Sequence, residues 1–157
     1  MAKKPKRKKS ERSKIIAQCD KLWSRYIRAK YADEEGFAEC YTCRKRDHLS
    51  RLCAGHFASR RHLQMFEGRP LRYHEQNSRV QCFGCNIGQH GLQWLFGDRL
   101  EGEERGLPRS IFKAIQGATA TTAQLKSTLH ELQLLQTTTP DDWWIQQKRE
   151  DGDSRTA

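Results

Sequence analysis

No stretch of this 157-residue sequence approaches the ~20 consecutive apolar residues that a membrane span requires. The segment from Met1 to Lys14 is charged and has no apolar core of the kind an export signal carries, so a secreted, disulfide-built protein is not expected. Hydrophobic residues make up only 36% and mean hydropathy is −0.92, which implies a small core that needs outside reinforcement. Acidic residues are outnumbered 19 to 29 by lysine and arginine, and no internal repeat is present. A protein without a membrane span, with reduced thiols and a cytoplasmic setting, is the expectation; there, paired cysteines favour metal over disulfides.

What is present is concentrated. Eight lysines and arginines against Glu11 occupy residues 1–14, leaving the other 143 residues only three of the ten net positive charges. An arm of this composition cannot bury enough surface to fold alone, and it attracts polyanions by counterion release. A solubilising tail is the plainer reading of the same run. Cys40, Cys43, Cys82 and Cys85 read C-x2-C, a 38-residue gap, then C-x2-C. Four soft thiolates around a d10 ion make a closed structural zinc site with no open position for chemistry.

Around that pair the chain divides coarsely. Residues 1–13 read as a disordered basic arm. Ile15, Ile16, Cys19, Leu22, Trp23, Tyr26 and Ile27 recur at helical spacing, predicting a helix from Lys14 to about Ala32 with Ser13 as N-cap. Cys19, on the apolar face, reads as core. Two short strands are expected at 51–58 and 78–81, with Cys53 in the first, and residues 59–76 as a polar loop between them. A short helix is expected near Cys85, weakened by Gly88 and Gly91. Further helices are expected at 108–116 and 120–136. The stripe Leu125, Leu129, Leu132, Leu135 reads as core packing, with a dimer seam as the alternative. Residues 137–157 carry a last helix start at Thr139-Pro140-Asp141-Asp142, with Trp143-Trp144, and then a tail. The expected class is α+β.

Inside the loop that the zinc would close stands His56; Asn77 precedes Cys82 by five residues and Asn86 follows Cys85. Phosphodiester hydrolysis needs an activated water and a cation on the developing charge. Imidazole titrates near neutrality and can act as the base. Asn77 can tie the loop backbone and orient the histidine, while the amide oxygen of Asn86 suits a hard cation. A lone histidine is more often structural; the joint spacing raises the catalytic reading.

Ala54-Gly55-His56-Phe57, Asn77-x4-Cys82-x2-Cys85-Asn86 and the upstream Cys40-x2-Cys43 resemble the zinc-containing HNH (ββα-metal) nucleases. Tyr26-Ile27-Arg28, Arg72-Tyr73-x-Glu75-x-Asn77 and Gln81 before Cys82 extend the likeness over residues 12–135, to the NinG/Rap family of lambdoid phages. The resemblance implies a recombination endonuclease acting on branched DNA (Holliday junctions, D-loops) in the bacterial host cytoplasm. It implies a ββα-metal core at 14–136, flanked by helices, with a structural zinc and a catalytic Mg2+ or Mn2+. His56 would be the general base, Asn77 the orienting residue and Asn86 the third motif position. Two departures stand out: asparagine replaces a frequent histidine at 86, and Gly55 stands where an aspartate ligand is common. Glu75, His74 and His90 are substitute metal ligands or supporting groups.

DNA contacts are expected from Lys3, Lys4, Lys6, Arg7, Lys8, Lys9, Arg44, Lys45, Arg46, Arg60, Arg61, Arg69 and Arg72, interleaved with Tyr41, Phe57 and Tyr73 as stacking partners. No segment resembles a base-reading recognition helix. A homodimer would suit paired cuts on a two-fold junction. Two other readings share these features: a non-catalytic zinc module that binds nucleic acid, and an HNH nicking or restriction enzyme acting on duplex DNA.

Overall fold

The computed structural model describes residues 8–137, so Lys3, Lys4, Lys6 and Arg7, and the C-terminal segment with Trp143-Trp144, lie outside the described residues. Helix α1 runs Glu11–Lys30, three residues earlier than the apolar pattern alone predicts. Ser10 is its cap, accepting the Ser13 N–H on its side chain, and Glu11 sits in the positive first turn. Ser13 is therefore inside the helix, and residues 11–13, expected in the disordered arm, are helical. Ile15, Cys19, Trp23 and Ile27, one per turn, form its buried edge.

Three antiparallel strand pairs follow, which with the helices make the chain α+β. β1 (Phe37–Glu39) and β2 (Arg46–His48) form a hairpin whose tip carries the first cysteine pair. β3 (Leu52–His56) pairs with β6 (Ser78–Cys82) in the register Leu52↔Cys82 through His56↔Ser78. That pairing brings the end of the His56 strand to the start of the strand that ends on Cys82. Between them, 59–76 is more ordered than its polar composition predicts. It holds β4 (Met65–Phe66) and β5 (Arg69–Pro70), then two single 3-10 turns ending at Asn77.

The C-terminal part is helical: α2 (Gln93–Glu103), α3 (Leu107–Ala114) and α4 (Thr122–Thr137). Leu125 and Leu132 of α4 are buried against the α1 stripe together with Leu52, Tyr73 and Val80, and Leu129 and Leu135 pack at the edge of that core. The leucine stripe is thus used inside the molecule. A second core joins Tyr41, Phe57, Phe66 and Leu71 to Phe96, Leu100, Leu107 and Ile111 of α2 and α3. The β3–β6 pair gives Leu52 and Val80 to the first core, and Phe57 and Ala58, just beyond β3, belong to the second. The Trp23 indole donates to Ser78 Oγ (3.0 Å), fixing α1 to the strand residue directly opposite His56. Among the described residues no helix is long and apolar enough to cross a membrane.

Candidate metal centre and adjoining cleft

The two cysteine pairs meet. Cys40 and Cys43 leave β1 on a tight turn closed by Arg44 N–H to the Cys40 carbonyl (2.9 Å), with Arg44 in the left-handed region at φ 63°. The Tyr41 N–H donates to the Val80 carbonyl (2.7 Å) and so docks this turn on β6, whose last residue is Cys82. The four Sγ atoms all lie within 4.8 Å of one another. A tetrahedral ion with ~2.3 Å bonds to sulfur separates its ligands by ~3.8 Å, and Cys43 and Cys82 Sγ are 3.8 Å apart. The donor set is all sulfur and fits zinc.

The thiols differ as acids. Burial opposes ionisation of Cys40, but N–H groups of Cys43, Cys82 and Thr42 and the Thr42 hydroxyl outweigh it and bring the thiol down to about 6. Burial, with the neighbouring thiols adding, pushes Cys85 up to about 12, and burial also raises Cys43. A bound dication compensates the crowded thiolates and removes that conflict. All six cysteines are free thiols; Cys19 is core, its thiol pushed up to about 11 by burial.

Beyond Cys82 the chain makes a five-residue π turn, Gly84–Gly88, where a short α-helix is expected from the sequence. Glycines at 84 and 88 weaken an α-helix here. Three successive left-handed residues follow, His90 (φ 52°), Gly91 (83°) and Leu92 (47°), before α2 begins. Non-glycine residues resist this conformation at about 1–3 kcal/mol each. The Gly91 N–H donates to the Cys85 carbonyl (2.9 Å) and its carbonyl accepts from Gln81 Nε2 (2.9 Å), so the second cysteine pair and β6 hold the segment in place.

This segment forms one wall of an open cleft of about 690 Å3; the opposite wall is α1 and β3. His56, Asn86 and His90 all line it, with Asp20 and Arg28 from α1 and Arg60 from the loop after β3. His56 Nε2–H donates to the Arg72 carbonyl (3.0 Å), which leaves the neutral ring's lone pair on Nδ1. Burial, with Arg60 and Arg72 adding, pulls the imidazole down to about 4 against the carbonyl's opposing effect. The ring is therefore neutral at physiological pH.

Asn77 is fully buried and works on backbone. Its Oδ1 accepts the Ala58 N–H (2.6 Å), and Nδ2 donates to the carbonyls of Ala58 (3.1 Å) and Leu71 (2.9 Å). It clamps the chain just beyond His56 to Leu71, the first residue of the 3-10 turn that carries Arg72. Arg72 in turn makes a two-pronged pair with Asp20 (2.7 and 2.6 Å), donates to the Arg60 carbonyl, and lies next to Tyr73, whose hydroxyl donates to Asp20 at 3.0 Å. Its guanidinium, expected at the DNA surface, is committed to α1. Asp20 is the site residue that sequence reasoning missed. The available signal was a carboxylate adjoining the apolar stripe of α1.

Gly55 has a physical reason. A Cβ there would lie 2.0 Å from Gln81 Oε1 and 2.8 Å from Gln81 Cγ. Gln81 is itself fully buried and donates to Thr42 Oγ1 (3.3 Å) as well as to Gly91. Its side chain fills the place where a carboxylate ligand at position 55 would stand.

Of the substitute ligands, only His90 shares the cleft. Glu75 is engaged by Lys30 and the Tyr26 hydroxyl, and His74 packs its ring edge-on to Phe66 (4.8 Å between centroids). Among the described residues, the four cysteines are the one group of three or more thiol, imidazole or carboxylate ligands gathered to hold a metal. Arg44, Lys45 and Arg46 are exposed and paired with Glu39, Asp47 and Asp33 respectively; Arg60, which lines the cleft, and Arg61 are exposed, and Lys8 and Lys9 are exposed ahead of α1. Arg69 pairs with Glu131 at 2.8 Å. Tyr41, Phe57 and Tyr73, expected to stack on bases, are all buried, so that role is corrected. No protein family, curated protein or solved structure matches this chain.

Proposed function

We propose that this chain is a DNA endonuclease of the HNH type, with a four-cysteine zinc as a structural staple and branched DNA as its substrate. The observation that carries the reading is His56. Its Nε2–H is tied to a backbone carbonyl, its lone pair is on Nδ1, and it lines a cationic cleft with Asn86 and His90. In the proposed reaction Nδ1 takes a proton from water as the water oxygen bonds to phosphorus, and the bond to the leaving deoxyribose oxygen breaks, that oxygen taking a proton from solvent. Asn77 and Arg72 hold the loop that presents the ring. Arg60 and Arg28 balance phosphate charge. A divalent ion would supply charge neutralisation at the phosphoryl oxygen. The Asn86 amide oxygen and His90 are the groups offered to it, because Asp20 is committed to Arg72. Mg2+ and Mn2+ accept so sparse a protein set because they keep water and substrate phosphate oxygens as ligands.

The test is cleavage of a synthetic four-way junction beside linear duplex of the same sequence, with Mg2+ or Mn2+ and without added divalent ion. Metal-dependent cutting of the junction, reduced about 100-fold or more in His56→Ala, is the expected result. Wild-type cutting by that variant rejects His56 as the base. Equal cutting of both DNAs moves the assignment to a nicking or restriction enzyme of duplex DNA. The sparse ligand set in the cleft favours one competing reading, a non-catalytic zinc module. Tight binding of both DNAs with no cutting under any metal would establish that alternative.

A further inference from the structure

Six large hydrophobic side chains are exposed among the described residues, and three of them lie within twelve residues: Phe83 (62%), Ile87 (54%) and Trp94 (73%). These twelve residues are the zinc knuckle, the π turn and the first turn of α2, the segment that walls the His56 cleft. Ile87 lines the cleft itself. So does Gln93, whose Nε2 donates to the His56 carbonyl (3.2 Å), and Trp94 is the next residue.

Trp94 is not exposed because its helix is loose. Phe96 and Leu100 anchor α2 in the second core, and Gly97 lies so close to Phe57 that a Cβ there would meet its ring at 3.0 Å. At ~100° per residue, a side chain two positions before Phe96 points ~200° away from the core. The indole is therefore exposed, on the residue that follows the cleft-lining Gln93. The other described tryptophan, Trp23, is buried. Ile87 lines the same cleft as Arg60 and Arg28, and apolar surface beside such charge suits a polyanion that also has flat apolar faces, which describes a nucleic-acid strand with unpaired bases. Paired DNA hides those faces.

We infer that Trp94, with Ile87 at its side of the cleft, is a stacking platform for unpaired bases, and that it makes the cleft select branched or distorted DNA over paired duplex. This rests on the nuclease reading and supplies its substrate preference. In single-strand binding proteins, removing one stacking aromatic weakens binding by ~1–3 kcal/mol per base, or about 5- to 150-fold.

The experiment measures anisotropy of a labelled duplex and of the same duplex carrying a three-nucleotide bulge, in a His56→Ala background so that neither is cut. Trp94→Ala should weaken binding of the bulged DNA at least about 5-fold while changing duplex binding less than about 2-fold, and Trp94→Phe should restore most of the loss. Zinc content and melting temperature serve as folding controls. Equal loss on both DNAs, or no loss on either, overturns the platform while leaving the nuclease reading intact. A parent protein that binds neither DNA rejects the nuclease reading and the platform with it. A change from dimer to monomer in Trp94→Ala, with bulge preference unchanged, assigns the patch to a second copy of this chain and overturns the inference.

Discussion

His56 is held neutral, and this has a cost in acid. Its folded pKa of about 4 lies below the ordinary 6.5, so the unfolded chain binds the proton more readily. The effect on stability is nil well above pH 6.5 and grows as pH falls towards 4. Between pH 7 and 5 the wild-type chain should lose about 2 kcal/mol relative to His56→Gln, read from urea denaturation of both at each pH. Zinc loss in acid is common to both and cancels in the difference. Parallel curves would mean that the ring is solvated. The neighbouring glycine makes a second prediction. Gly55→Ala should lower stability by about 1–3 kcal/mol, because Gln81 is pinned from two sides and cannot yield the space. Its cost should fall in a Gln81→Ala background, and a thermal-melt double-mutant cycle reads that coupling.

At the scale of elements, the four-cysteine cluster joins the β1–β2 hairpin to the end of β6 and to the π turn that walls the cleft. Structural zinc–thiolate sites contribute about 10–16 kcal/mol of apparent binding free energy, comparable to a whole domain's stability of about 5–15 kcal/mol. Cys82→Ser should therefore bind no zinc and lose near-UV circular dichroism, whereas Cys19→Ser, changed in the α1–α4 core, should keep one zinc per chain by elemental analysis. Elements whose cause is local were legible in the sequence: the four-cysteine spacing, the α1 stripe, the two strands around His56. What escaped depends on distant partners. The 59–76 loop gains strands because Asn77 and the Met65 N–H to Ala118 carbonyl bond (2.9 Å) hold it from outside. Phe57, read as a surface aromatic beside arginines, is buried by Phe96, which lies 39 residues on. Which face of α2 is exposed, and with it the exposure of Trp94, is set by the packing of Phe96 on Phe57 and Tyr41.

For the whole molecule, the decisive asymmetry is charge. Residues 1–9 carry six lysines and arginines and no acid, while most described cations near the first knuckle already face acidic partners. In the sequence, the arm is thus a run of positive charge with no acid within it. The α1 cap is Ser10, so removing residues 1–9 spares the helix and everything packed on it. If the arm contacts phosphates, each neutralised phosphate contributes about −0.9 to the slope of log affinity against log salt on duplex DNA. Deletion of 1–9 should then make that slope shallower, by up to about 5 if every charge is in contact, with zinc content unchanged. Affinity for bulged DNA should fall in parallel with affinity for duplex, because phosphate contacts position a protein without distinguishing strand structure. Titrations between 50 and 200 mM salt measure this. An unchanged slope would reduce the arm to a solubilising tail, and DNA attraction would then rest on Arg60, Arg61 and the cleft alone.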